Sequence, residues 1–331
     1  MERQVGNLWH GDREAQIQAA MEVSRLSSKQ RHKLADKGVI EPLISMLNSQ
    51  DYEAIEAALC ALLSLAFGSE RNKNRIIKSG VLPVLLNLLQ CQNQALAELT
   101  IASMLTLSSC SANKLAIASS GAIQLLVQFL SGQYADSAST QSQLDTIATL
   151  HNLSTFQEIM PLIASSGIVF SLLDLIHSSR KSSELVEKAV GLLESVVSSS
   201  ENALCEAAGI VGAIRILVET IEDGSLLGKE HAVGILLLIC QSCREKYRGL
   251  ILREGVMPGL LQLSVDGTRR AKNVARELLL LLRDVSSYSS TSKQTKHELI
   301  EKIMQEIDAE GEQLAGATLR LVEEIIAKVN T

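Results

Sequence analysis

Several residues in this 331-residue chain have types and spacings that could do chemistry. Cys240 and Cys243 form a Cys-x-x-Cys, the spacing of half a zinc site or of a redox pair. There is no second pair and no strand-like pattern flanks it, so Cys240, on the apolar face of a helical run, reads as core. Gly224-Ser225-Leu226-Leu227-Gly228-Lys229-Glu230 echoes a phosphate-binding loop. It is one residue short before Gly-Lys and places a glutamate where a hydroxyl must hold magnesium, so it reads as a loop entering a helix. His297-Glu298-Leu299-Ile300-Glu301 begins like a zinc-protease helix, yet Glu301 replaces the second histidine that the metal needs one turn on. His151, His177 and His231 have no carboxylate or nucleophile set beside them by a motif. Asn152-Leu153-Ser154 matches a glycosylation acceptor, which matters only in a secreted chain. No catalytic, metal-binding or cofactor-binding residue is therefore expected, and the chain is read as a non-enzyme.

The elements that carry these residues come from an internal repeat. Six glycines head near-identical patterns: Gly38 (GVIEPLISML), Gly80 (GVLPVLLNLL), Gly121 (GAIQLLVQFL), Gly167 (GIVFSLLDLI), Gly212 (GAIRILVETI) and Gly255 (GVMPGLLQLS). At the second, fifth and sixth positions after the glycine all six copies are apolar, as in Ile40, Leu43, Ile44 and Ile123, Leu126, Val127. Each unit reads as three helices. A short first helix ends at the glycine, which permits a backbone reversal that a side chain would resist. The second helix carries the apolar stripe. The third spans Glu53 to Ala66, Ala95 to Leu107, Gln143 to Leu153, Leu185 to Val197, Lys229 to Cys240 and Arg269 to Arg283 in the six copies. No unit can bury its apolar faces alone, so neighbours must stack on one core.

Composition agrees. Hydrophobic residues make up 46% of the chain, aromatics only 3%, and proline occurs four times, a palette for many small aliphatic helices. The formal charge of −6 argues against a nucleic-acid backbone as the main ligand. Six cysteines and a start, Met1-Glu2-Arg3-Gln4, without export-signal character imply thiols in a reducing compartment, the cytoplasm or nucleus. The uncharged runs Ser79 to Ala97 and Leu115 to Ala135 carry Gly, Gln, Asn and Ser and are not read as membrane spans. Four segments are expected: an N-terminal tail (1–11), a repeat array with a partial first repeat (12–285), a Ser-rich linker (286–296), and a C-terminal helical hairpin (297–331) with apolar residues at helical spacing around His297 to Asp308 and Glu312 to Val329.

The Gly-x-Ile-Pro-x-Leu-Val-like heads and the Ala-Leu-x-Asn-Leu-Ser-like ends of the third helices resemble the armadillo pattern. AAMEVSRLSSKQRHKLADKGVIEPLISML and the segment from Glu230 to Arg283 resemble the first and last repeats of plant U-box/armadillo proteins. The resemblance implies an all-α fold, a right-handed armadillo superhelix whose third helices line a concave groove. In that family a U-box recruits the ubiquitin-conjugating enzyme and the array holds a partner protein. Only about a dozen residues precede the first repeat here, too few for a U-box, so partner holding is the part carried over. A scaffold that binds a protein partner in the groove is expected. The alternative, from the resemblance alone, is a substrate adaptor in a ubiquitin pathway that uses a ligase in trans.

The family's groove asparagine sits late in each third helix. The matching positions are Arg25 in the N-terminal cap, Ser64, Thr106, Asn152, Ser195 and Leu238, so one asparagine is present. One turn earlier, where nuclear-import adaptors place tryptophans, stand Cys60, Ala102, Ala148, Gly191 and Gly234, while the sole tryptophan is Trp9. A ladder for a basic localisation signal is therefore not expected. Asn152 reads either as a grip on a partner's main chain or as a group satisfied within its helix layer. Glu56, Glu98 and Glu187 would tilt the groove toward basic ligands or stand as solvated helix-face glutamates.

Overall fold

The structure, a computed structural model, describes residues 2–131 and 138–283. The Ser-rich linker and the two helices expected beyond it, with the His297 motif, lie outside the described residues. The described residues form helices and turns, with no strand among them.

The six head glycines all adopt left-handed backbone, with φ between +77° and +88°. They stand between the first and second helices, where the chain reverses. The second helices then bury their stripe, with Leu43, Leu126, Leu172 and Leu260 fully covered. Each third helix begins on a side-chain cap: Asp51, Asn93, Ser139, Ser183, Ser225 and Thr268 each accept a backbone N–H of the first turn. A cap of this kind is worth about 1 kcal/mol, and it fixes where the long helix starts.

The chain divides into two units, Met1–Leu175 and Ile176–Thr331. In the first, the third helices Tyr52–Ala66, Gln94–Ser108 and Thr140–Ser154 lie side by side, and Arg13–Ser24 packs on Tyr52–Ala66 as the partial repeat. Leu89, Ala97, Ile101 and Phe129 form one buried cluster that joins the second and third repeats. The segment read as an N-terminal tail contains the helix Glu2–His10, which lays a buried Leu8 against Arg13–Ser24. Its remaining residues are mostly polar, which hid it from a periodicity reading.

In the second unit the third helices Glu184–Ser199, Leu226–Ser242 and Arg269–Leu282 lie side by side in the same way. The second helices Ala213–Asp223 and Met257–Asp266 meet at Gly259, where a Cβ would stand 2.9 Å from Ile221 Cγ2. Among the described residues no single helix is long and apolar enough to cross a membrane. The apolar pair Gln94–Ser108 and Ser111–Ser119 bends by 111° at its break.

Candidate partner-binding surface

The positions matched to the groove asparagine fall in register on the third helices. Arg25 is exposed at the end of Arg13–Ser24, and Ser64, Thr106, Asn152, Ser195 and Leu238 are half-buried. Their polar atoms are engaged locally. Thr106 and Ser195 donate back to the carbonyls of Ala102 (2.9 Å) and Gly191 (3.0 Å) in their own helices. Ser64 donates to Ser24 O at 3.0 Å, beside Arg25. Asn152 Nδ2 donates to Ser108 Oγ at 3.1 Å, reaching the preceding third helix. The amide of Asn152 thus ties two repeats together.

Two of the three glutamates also tie neighbours. Glu98 accepts the backbone N–H of Ser139 (3.1 Å), the cap of the next third helix, and Glu187 accepts the hydroxyl of Ser225 (2.7 Å), again the next cap. Glu230 repeats the arrangement with the Thr268 hydroxyl. The Ser225 hydroxyl holds the Glu187 carboxyl below the usual carboxylate range, against the opposing effect of partial burial. Burial pushes the Glu98 carboxyl up, but the donors from Gln94, Ser139 and Ser142 together pull it below that range. Glu56 is exposed and carries no such tie.

The other ends of the third helices are closed by cations. Arg31 donates to the carbonyl of Ser64 (2.5 Å), Lys73 to Ser109 Oγ (2.8 Å), Lys114 to Thr155 Oγ1 (2.6 Å) and Arg248 to the carbonyl of Leu282 (2.8 Å). The last carbonyls of a helix lack internal partners and form the negative end of its dipole, so a cation there is stabilising. Each cation stands seven residues before its head glycine; Met160 and Cys205 occupy that position in the other two repeats. This recurrence is legible in the sequence, yet a reading built on apolar periodicity passes over it.

A denser cluster marks the second unit. Glu194 is buried and accepts His231 Nδ1 at 2.7 Å and Arg270 at 2.5 and 3.2 Å, while Arg270 also reaches Glu230 at 3.2 Å. Three successive third helices are joined through it. Gly191 and Gly234, which stand where an import adaptor would carry tryptophans, are its floor. A Cβ on Gly191 would lie 3.2 Å from His231 Nε2, and one on Gly234 would overlap the Glu194 carboxylate. Burial pushes the Glu194 carboxyl up, but hydrogen bonds and charge from His231 and Arg270 outweigh it and hold it below the usual range.

The motif-like residues are dispersed. Cys240 is buried, with its thiol pushed up by burial, while Cys243 is exposed, and all six cysteines are free thiols. In the loop before Leu226 the Ser225 hydroxyl is occupied by Glu187 and caps Gly228 N, and Lys229 Nζ donates to Glu222 O at 2.6 Å. A phosphate would meet carboxylates there instead of free donors. His151 and His177 are exposed on separate helices.

Stacked three-helix units with capped third helices define a repeat solenoid. An armadillo/beta-catenin-like repeat family model matches residues 27–67. U-box domain-containing protein 45 of Arabidopsis thaliana is 29% identical over 190 residues, 56% of this chain and 23% of that protein. U-box domain-containing protein 17 of the same plant is 34% identical over 136 residues, 40% of this chain and 18% of that protein. The chain therefore spans about a quarter or less of the curated relatives it matches. A crystal structure of an engineered protein superposes with a TM-score of 0.73 at 20% identity, covering 97% of this chain and 77% of that one. The described residues form an all-α repeat solenoid that contains an armadillo/beta-catenin-like repeat at 27–67 and is similar over part of its length to plant U-box proteins.

Proposed function

We propose that the chain is a non-enzymatic scaffold that holds a segment of a partner polypeptide along its third helices. The observation that carries this reading is the row at Ser64, Thr106 and Asn152 in the first unit, with Ser195 at the matching position of a third helix in the second. At each step a small or polar side chain stands half-buried on a rigidly capped helix, so a partner backbone can approach closely. Affinity would be spread over several repeats, without a dominant aromatic pocket. A reducing setting, cytoplasm or nucleus, belongs to the reading, since all six cysteines are free thiols.

The test is proximity labelling in the native cell, comparing the intact chain with a variant carrying Thr106→Arg and Asn152→Arg. Loss of a defined set of labelled proteins, with helix content kept and the melting transition still well above the temperature of the cell, supports the reading. An unchanged set in a folded variant refutes it.

The names of the plant relatives favour a second reading, a substrate adaptor for ubiquitination that works with a ligase in trans. Affinity capture that recovers ubiquitin-conjugating or ligase components supports it, and their absence from a capture that does recover other partners counts against it.

A further inference from the structure

The turn from second to third helix is built alike in the last two repeats: Asp223-Gly224-Ser225 and Asp266-Gly267-Thr268. In each, the glycine is demanded by space, because a Cβ would run into the carbonyl of Thr220 or of Leu263, and the hydroxyl residue caps the helix. The two residues after the cap differ from repeat to repeat. Repeat six continues with Arg269-Arg270, and the first three repeats with Tyr52-Glu53, Gln94-Ala95 and Thr140-Gln141. Repeat four has Glu184-Leu185, with Leu185 buried. Repeat five has Leu226-Leu227, and these leucines are 55% and 44% exposed. Repeat five alone sets two neighbouring, largely uncovered leucines at this place, where repeat one has the single exposed Tyr52 and the other repeats carry smaller, polar, charged or buried side chains.

Leu226, the first of these two leucines, borders an open cleft between the two turns. Ile221, Leu226 and Leu263 form apolar walls, Gly259 leaves the floor low, and Lys229 and Asp266 stand at the rim. The rim is acidic in effect. Lys229 is drawn onto the Glu222 carbonyl, while the carboxylates of Glu222, Asp223 and Asp266 are exposed and take part in no ion pair among the described residues. Partial burial, Asp223 and Glu219 push the Glu222 carboxyl above its ordinary range, so a cation brought to this rim would relieve an existing repulsion.

We propose that this cleft is a second docking site, separate from the third-helix row, which takes an aliphatic side chain of a partner polypeptide flanked by lysine or arginine. The apolar walls remove the aliphatic group from water, and the unpaired carboxylates select the flanking charge.

The probe is a short fluorescein-labelled peptide with leucine pairs set between lysines, titrated against the full chain by anisotropy, beside a control with glutamate at every lysine. The lysine peptide is expected to bind and the glutamate peptide to fail. Leu226→Ser should weaken binding by about fivefold or more with little change in melting temperature, because more than half of that side chain is already in water. Asp223→Asn combined with Asp266→Asn should weaken binding and flatten its salt dependence. Hydrogen exchange should slow at 221–228 and 259–267. The proposal is overturned if the lysine peptide does not bind, if Leu226→Ser binds it as the wild type does, or if the slowed exchange appears around Thr106 and Asn152 instead.

Discussion

Gly234 lies directly under the carboxylate of Glu194, and a single added carbon would displace it. That clearance lets Glu194 reach His231 and Arg270 on the next two third helices. Alanine is favoured over glycine inside a helix by about 1 kcal/mol, so Gly234→Ala would ordinarily stabilise. Here it should destabilise by about 1 kcal/mol or more, because a buried carboxylate loses its partners. In a Glu194→Ala background the same change should regain its ordinary sign. Urea unfolding of the four variants measures this, and a stabilising Gly234→Ala in the wild-type background would show that the cluster is loose.

The same carboxylate gives the stability a pH signature. Its folded-state value is held below the ordinary 4.5, so the unfolded chain binds the proton more tightly. The stabilisation is complete above about 4.5 and is lost as pH falls through the folded value. Between about 4.5 and that value wild-type stability should fall more steeply than that of Glu194→Gln. Parallel curves would remove Glu194 from the account.

Gly121 sits at φ +88° with open space around it, so the cost of a side chain there is conformational and not steric. Gly121→Val should cost about 1–3 kcal/mol and Gly121→Asn clearly less, since asparagine tolerates the left-handed region. Equal melting temperatures for glycine and valine would contradict the geometry.

Asn152→Ala should weaken partner binding by only about 1 kcal/mol. It should also lower stability, because the amide donates to Ser108, and Ser108→Ala should lower it through the same bond. A double-mutant cycle reads the coupling. Additive losses would mean that the bond contributes nothing.

The fold was legible because its signals are local. A glycine at a backbone reversal and an apolar stripe at helical spacing are read within about ten residues. All six third helices, such as Tyr52–Ala66 against the expected Glu53 to Ala66, start and stop within three residues of their expected ends. The surface was legible only as a set of positions. That Glu98 and Glu187 reach the caps of the following helices depends on which long helices become neighbours and how their turns align, which residue types do not state. Glu194 was missed outright, because its partners are 37 and 76 residues away. The small residues Gly191 and Gly234 looked like a missing tryptophan, whereas they leave room for a neighbour's side chain.

The glutamate-to-cap ties from Glu98, Glu187 and Glu230 join a repeat only to the next one along the chain, as rungs join adjacent uprights. A break at one rung has no direct line to distant turns, so a lesion such as Glu187→Ala should loosen the helices that Glu187 and Ser225 begin and leave the far end of its unit as slow to exchange amide hydrogens as before. Wear in such a ladder stays where it starts.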